Sequence, residues 1–321
     1  MVPNVLMLGW GFPPDVSGGL DTAVGELFEQ FDARSDVEID LVLPAEYAPD
    51  REGIHGVPTG EGGVRDRINR LTGEFVEFAA DADIVHTHDW FGYGPGSRAQ
   101  GTHDVPWVTT FHSLSSDRNR NPPDQEVETE QRIVDRADHL VSVSEFVGRN
   151  VRAEYGGDST VIYNGFSSVE PTGRDVKAEL GIDGEVTLVV GGTGHLTEQL
   201  KTFVDLLDIE ERVEFVGYVP EPELGDYYAS ADVFVSPSLS EPFGITIVEA
   251  LSAGTRVVAC ESGAAEVLPE GCIVEVEPDS GSIADGISEA LAAGPPPDYE
   301  ERTWETVADE HVEFYRDILG E

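Results

Sequence analysis

Apolar positions along this chain come in short runs, and polar, helix-spaced stretches separate them. NVLMLGW (4–10), VEIDLVLP (37–44), DIVHTH (83–88), VPWVTTFH (105–112), HLVSVS (139–144) and TVIYN (160–164) read as strands. LDTAVGELFEQF, VRDRINRLTGEFVEFAA, EVETEQRIVDRA and EFVGRNVRAEY lie between them with helical spacing. Strand–helix alternation of this kind predicts an α/β fold, a mostly parallel sheet with helices on both faces. Around 165–184 the pattern breaks into a polar, turn-rich stretch, GFSSVEPTGRDVKAELGIDG. A second alternating series follows: EVTLVVGG, LTEQLKTFVDLL, RVEFVGYV, ELGDYYASA, DVFVSPS, ITIVEALSAG, TRVVAC and CIVEVEP. Three prolines at 295–297 precede a last helical stretch over 299–319. The expected organisation is a first domain over 1–165, a second over 166–298 and a terminal helix over 299–321. Two such domains facing each other form a cleft, and ligands gather beyond the C-terminal ends of parallel strands.

Charge changes this picture in one respect. The 321 residues carry 63 acids against 19 bases, a formal net of −44, and the only lysines are Lys177 and Lys201. The acids are spread along the chain, and the regular strands argue against disorder. A folded protein suited to strong salt fits best, with a surface resembling that of proteins from halophilic archaea. Nucleic acid is disfavoured as a partner, because its phosphates need a basic footprint. No stretch has the ~18 consecutive apolar residues of a membrane span. The opening MVPNVLMLGWGFPP lacks a basic leader and reads as a first strand, so a cytoplasmic location is expected. Cys260 and Cys272 lie in strand-like surroundings and are expected as buried thiols.

Candidate chemistry sits at strand ends. Gly18 and Gly19 precede a helix with Asp21 in its first turn, so the backbone there could approach a phosphate, or simply turn. The dinucleotide spacing G-x-G-x-x-G is absent. HTHDWFGYG places His86 and His88 on one face of a strand, followed by Asp89. Two histidines and an aspartate suggest a metal, but no third ligand is spaced to complete one. A rim for sugar hydroxyls, with Trp90 and Phe91 as apolar rings, fits better, and His86 by itself fits an inward-packed role equally well. His112, just past the strand VPWVTTF, can donate to a hydroxyl, a carbonyl or a phosphate. Ser144 reads as a helix cap and Asn164-Gly165 as a turn, both structural.

SEPFGITIVEALSAG carries the strongest signal. Glu241 lies in the loop ahead of a helix and Glu249 within it. Carboxylates suit vicinal hydroxyls, and the amides of Gly244 and Ile245 at the helix start suit phosphate oxygens. Together they describe a nucleotide sugar.

These residues, with VGYVPEPELGDYYASADVFVSPS, the GGL turn and VIYNG, resemble retaining glycosyltransferase family 4 over nearly the whole chain; HDW is also similar to glycogen and starch synthases. The resemblance implies a GT-B fold, two Rossmann-like domains across a cleft. It implies transfer of a hexose from a nucleotide diphosphate sugar with retention, without metal or cofactor, in carbohydrate biosynthesis. By that likeness Glu241 meets the donor sugar and Glu249 the ribose. Phe243, Gly244 and Ile245 line sugar and diphosphate, with Gly18 and Gly19 opposite. His112 lies near the transferred sugar in a positioning role, and Tyr218 and Val219 flank the base. Asp15, His88 and Asp89 lie on the acceptor side. The acceptor is a glycan, a lipid-linked group or a small molecule, with peripheral membrane contact only for a lipid. The final helix, with Trp304 and Tyr315, returns to the first domain.

The sequence departs from that family at one place. The family's GR–x–KG stretch, with the Arg and Lys that clamp the diphosphate, has no counterpart, and GEVTLVVGG runs directly into TGHLTEQLKTF. The second domain is expected to be short by about one strand–helix unit. Besides the transferase, a weak or inactive binding homologue is therefore an alternative, and a nucleotide-sugar epimerase fits the EPFG block less well.

Overall fold

The computed structural model describes residues 2–13, 18–166, 168–182 and 186–320. In the first half seven strands form one parallel sheet: β1 (Asn4–Leu8), β2 (Glu38–Pro44), β3 (Ile54–Val57), β4 (Ile84–His88), β5 (Trp107–Phe111), β6 (His139–Ser142) and β7 (Thr160–Val161). Their order is β3-β2-β1-β4-β5-β6-β7, so β1 lies at the centre between β2 and β4. Helices α1 (Gly19–Asp32), α2 (Val64–Phe78), α3 (Tyr93–His103), α4 (Ser115–Arg118), α5 (Asp124–Arg136) and α6 (Glu145–Tyr155) join the strands. β4 and β5 are buried at every position. Chains covered on both faces read as continuous strands without polar alternation, yet here HTH and TT fill central positions. Their polar groups pair with each other: Thr87 Oγ1 lies 2.8 Å from Thr109 Oγ1 and accepts the Trp107 indole N–H at 2.8 Å.

Helix α3 runs against local propensity, with three glycines and a proline in YGPGSRAQGTH. Pro95 occupies the first turn, where no intrahelical N–H bond is lost. A Cβ on Gly96 would overlap the Trp107 indole, so only glycine lets this helix close onto β5. Ser144 caps α6 as expected, its Oγ accepting the Val147 N–H at 3.2 Å.

The second half holds α7 (Val176–Glu179), β8 (Leu188–Gly191), α8 (Thr197–Leu207), β9 (Val213–Gly217), α9 (Glu221–Ser230), β10 (Val233–Ser236), α10 (Ile245–Ser252), β11 (Arg256–Ala259), β12 (Ile273–Glu275) and α11 (Ser280–Ala292). Its parallel strands fall into two separate groups, β8-β9 and β10-β11-β12. Both cysteines are buried free thiols.

The last helix, α12, spans Trp304–Leu319, five residues shorter at its start than the 299–319 expected. Arg302 bonds to the segment that follows β7 instead. The Phe166 N–H donates to the Arg302 carbonyl at 3.0 Å, and Arg302 Nε donates to the Tyr163 carbonyl at 3.2 Å. Thr303 then caps the helix. A Cβ on Gly165 would press on Trp304 at 2.8 Å, which makes the Asn164-Gly165 turn the point where the returning chain crosses. Trp304, Val307, Val312 and Tyr315 pack with Val5, Met7, Phe28, Phe31 and Val108 on one face of the first sheet. The core on the other face continues into the second half through Leu114, Val143, Phe243, Ile247 and Val248. Among the described residues no helix is long and apolar enough to cross a membrane.

Candidate active site

The first-half and second-half loops meet at the C-terminal ends of the parallel strands. Two helix starts face each other there: a Cβ on Gly19, the first residue of α1, would lie 3.5 Å from Ile245 Cδ1, the first residue of α10. Each start leaves backbone N–H groups without helical partners and a partial positive charge. Gly18 is extended, and none of the described residues lies within 4 Å of its side-chain position. Asp21 turns away from this opening, and its carboxylate accepts the Gly11 N–H at 2.9 Å, fixing the chain between β1 and α1. Asp15 lies outside the described residues.

The SEPFG loop is held from both sides. Ser240 Oγ donates to Asp117 Oδ1 at 2.8 Å, and Ser144 Oγ donates to the Pro242 carbonyl at 2.6 Å, so α4 and α6 of the first half grip it directly. Gly244 stands at φ +99°, the left-handed region open to glycine, and starts α10. Glu241 accepts from Ser238 Oγ at 3.0 Å. Burial pushes its carboxyl above the usual range. Glu249 is also pushed up by burial, partly offset by the Tyr228 hydroxyl, which donates to it at 2.9 Å. The structure thus gives Glu249 a protein partner on α9, where the sequence suggested a free carboxylate.

Phe243 is buried in the core, so its side chain backs the loop, and its carbonyl accepts the Ala264 N–H at 2.7 Å. Ile245 is half-buried opposite Gly19. Tyr218 is exposed and Val219 half-buried, in the loop after β9.

On the first-half side the histidines form a buried row. His86 sits between Thr110 Oγ1, at 2.7 Å, and the Tyr315 hydroxyl, at 2.6 Å, and so ties α12 to the sheet. The rings of His86 and His88 stand 4.7 Å apart, as expected for one strand face. His88 Nδ1 lies 3.0 Å from His112 Nε2. The outer nitrogens, His88 Nε2 and His112 Nδ1, are buried with no partner among the described residues. Both line a narrow pocket with Leu27, Thr110, Asn164, Trp304 and His311. Burial keeps the rings neutral: His112 is pushed down to about 3, and His86 and His88 well below the usual histidine value.

His88 and Asp89, expected at an acceptor rim, are both buried behind His112. Asp89 adopts φ 46°, uncommon for a residue with a side chain. Its Oδ1 accepts the His112 N–H at 2.8 Å and the Ser113 N–H at 3.4 Å. Burial pushes its carboxyl up to about 7, against the pull of Arg118. Arg118 stands 3.5 Å from both Asp89 and the buried Glu130 and donates to Ser113 Oγ at 2.7 Å. Strained backbone of this kind persists where surroundings over-determine it, often at functional sites. Asp117, Arg118 and Glu130 were not singled out in the sequence. The Asp117 carboxylate accepts the Leu114 N–H at 2.8 Å at the start of α4, but with leucine at the cap position no capping signature marks it in the sequence. Among the described residues no group of three or more His, Cys, Asp or Glu side chains is placed to hold a metal ion.

Two sequence profiles divide the chain between them. Residues 17–168 match Glycosyltransferase Family 4, and residues 173–293 match Glycosyl transferases group 1. In fold and sequence the chain is similar to group 1 and family 4 glycosyltransferases. An uncharacterised glycosyltransferase of Methanocaldococcus jannaschii is 24% identical, with 98% of each chain covered. That alignment runs over 389 positions although this chain has 321 residues, so the relative carries segments absent here. The solved sucrose-phosphate synthase of Thermosynechococcus elongatus shares the fold with a TM-score of 0.79 at 19% identity, covering 99% of both chains. Anabaena HepE, solved in complex with UDP and glucose, has a TM-score of 0.69 at 18% identity, covering 99% of this chain and 96% of that one.

Proposed function

We propose that this GT-B protein transfers a hexose from a nucleotide diphosphate sugar to an acceptor hydroxyl, with retention at the anomeric carbon and without a metal ion or other cofactor. The observation that carries the proposal is the meeting of two helix starts, Gly19 and Ile245, the second in the half of the molecule that also holds Glu241. N–H groups of both halves suit the diphosphate from two sides, and the carboxylate suits sugar hydroxyls. Solved relatives that hold UDP with glucose support the donor class. His112 positions the transferred sugar, Glu249 with Tyr228 meets the ribose, and Tyr218 and Val219 flank the base. Asp89 and His88 act through the 112–113 loop, on the side from which a glycan, lipid-linked or small-molecule acceptor enters. The charge points to a cytoplasm rich in salt.

The diphosphate clamp expected from the family resemblance is missing in this reading, and donor binding is weak for that reason. Each remaining basic candidate of the second half is already paired: Arg174 with Glu179 and Glu223, Lys177 with Asp232, Lys201 with Glu198. Transferase names among the relatives favour turnover over an inactive homologue. The test is release of nucleoside diphosphate from UDP-, ADP- and GDP-glucose, with a mixed acceptor pool in molar KCl. Release from one donor, lost in Glu241→Gln, is expected. Saturable nucleotide binding with no release from any donor would select the inactive homologue instead.

A further inference from the structure

Two loops of the candidate site are held by neighbouring residues of one short helix, α4. Asp117 Oδ1 accepts from Ser240 Oγ of the SEPFG loop at 2.8 Å and from Asn150 Nδ2 at 3.2 Å. Arg118 Nη1 donates to the Ser113 carbonyl at 3.1 Å and to Ser113 Oγ at 2.7 Å. Asp89 holds the same loop by its N–H groups: Oδ1 accepts from His112 and Ser113, and Oδ2 stands 3.5 Å from Arg118 Nη1. This buried carboxylate is thus a bridge, with one oxygen on the His112 loop and the other toward the guanidinium.

A buried carboxylate without a compensating charge is costly and takes up a proton instead. Arg118 on α4 and Glu130 on α5 are the charged groups that face Asp89, and only the first is positive. Glu126, also on α5, stands 3.6 Å from Arg118. Burial keeps the adjoining His88 and the His112 ring neutral. Glu130 has donors of its own, the Ser115 N–H at 2.9 Å, Ser115 Oγ at 2.6 Å and the Tyr155 hydroxyl at 2.5 Å. Asp89 relies on the two loop N–H groups and on Arg118.

We propose that Arg118 is a positioning residue for transfer: its guanidinium holds the Asp89 carboxylate and Ser113, and through them sets the backbone that presents His112. The proposal rests on the transfer reading above and deepens it, and it holds for any donor base or acceptor. The φ of 46° at Asp89 explains the need for a clamp, since strained backbone persists only where its surroundings over-determine it. Loss of the guanidinium leaves Asp89 facing Glu130 alone, so the carboxyl takes its proton at higher pH. Burial already places that event at about 7. An opposite charge this close moves a carboxyl by about one to three pH units. Transfer that needs the Asp89 anion rises with pH through about 7 in the parent, and in Arg118→Gln the rise moves up by about one unit or more.

The test has two readouts on the full chain in molar KCl. The first needs no substrate: NMR follows the amide resonances of His112 and Ser113, which donate to the carboxylate, from about pH 5 to about pH 9. Their midpoint is expected near 7 in the parent, about one unit or more higher in Arg118→Gln, and close to the parent in Arg118→Lys, which keeps the charge. The second is the pH profile of nucleoside diphosphate release at saturating donor, whose rising limb should follow the same order. At pH 7 a one-unit shift lowers release about fivefold. Asp89→Asn should remove the limb altogether, and this variant decides the matter if Arg118→Gln does not fold. Unmoved amide midpoints in Arg118→Gln overturn the proposal, as does a limb near 7 that survives Asp89→Asn. Moved midpoints beside an unmoved release profile also overturn it, since Arg118 would then only support the fold. No release by the parent from any donor is a distinct result, which fails the transfer reading and this proposal with it.

Discussion

His88 Nδ1 and His112 Nε2 lie 3.0 Å apart, so one proton is shared between the loops that end β4 and β5. When that proton sits on His88, His112 carries its own on Nδ1, the buried nitrogen with no partner among the described residues. In that tautomer His112 can donate to a ligand, and in the other its Nε2–H is spent on His88 and its Nδ1 accepts. His112→Ala should lower transfer by about a hundredfold or more, the scale for losing an oriented donor. His88→Phe, which keeps the ring and loses the bond, should lower it by about five- to tenfold. Steady-state donor turnover checks both, and an unaffected His88→Phe would remove His88 from the site.

The buried histidines also predict how acid acts on the fold. His311 is pushed down from 6.5 to about 4 by burial. The unfolded chain binds its proton first, so this contribution is intact above about pH 6.5 and is lost as pH falls toward 4. Asp89 works in the opposite sense. Its carboxyl, pushed up to about 7, takes a proton earlier in the folded state and adds stability between pH 7 and its ordinary value of 3.8. A difference experiment separates the two. Between pH 6.5 and 4, the stability of His311→Phe should fall less steeply than that of the parent, by up to about 1.4 kcal/mol per pH unit. Urea melts across that range measure it, and parallel slopes would count against a neutral buried His311.

Glu249 has two roles to lose. A bond from the ribose to this carboxylate is worth about 1.5–3 kcal/mol, so Glu249→Ala should weaken donor binding about ten- to hundredfold. The sequence alone suggests little effect on stability. The Tyr228 bond changes that expectation, because alanine leaves a buried hydroxyl unpartnered at a cost of about 1–3 kcal/mol. Tyr228→Phe combined with Glu249→Ala should recover most of that stability but none of the affinity. Calorimetric titration with nucleotide, run beside thermal melts of the parent and the two variants, distinguishes the roles.

Salt should govern folding. The repulsion among 44 excess negative charges acts over about 10 Å at 0.1 M salt and about 3 Å at 1 M. The unfolding midpoint should therefore rise steeply with KCl, and circular dichroism melts at low and molar salt read it directly. A flat response would mean that local ion pairs already balance the acids.

Much of this architecture is legible in the sequence because the strands are punctuated by Gly, Pro and polar stretches. The strand runs ending at Leu8, His88, Phe111 and Ser142 all fall where the apolar pattern puts them. Helix α3 is hidden, because Gly96 serves the Trp107 indole and not the helix. The start of α12 is hidden too, since Arg302 bonds to Tyr163 across 139 positions of chain. At the site, residue type and strand-end position mark His112, Glu241 and Gly244. They do not show that Asp89 faces inward, that His88 lies behind His112, or that Ser240 bonds to Asp117. Those relations depend on which loops meet in space, and local pattern carries no record of that.

The central claim is transfer with retention at the cleft between Gly19 and Ile245. Proton NMR of the anomeric centre formed from an α-linked nucleotide sugar, in molar KCl with excess EDTA, tests it most directly. An α-linked product that disappears in Glu241→Gln is the predicted result. A β-linked product, or transfer that stops when EDTA is added, would contradict it.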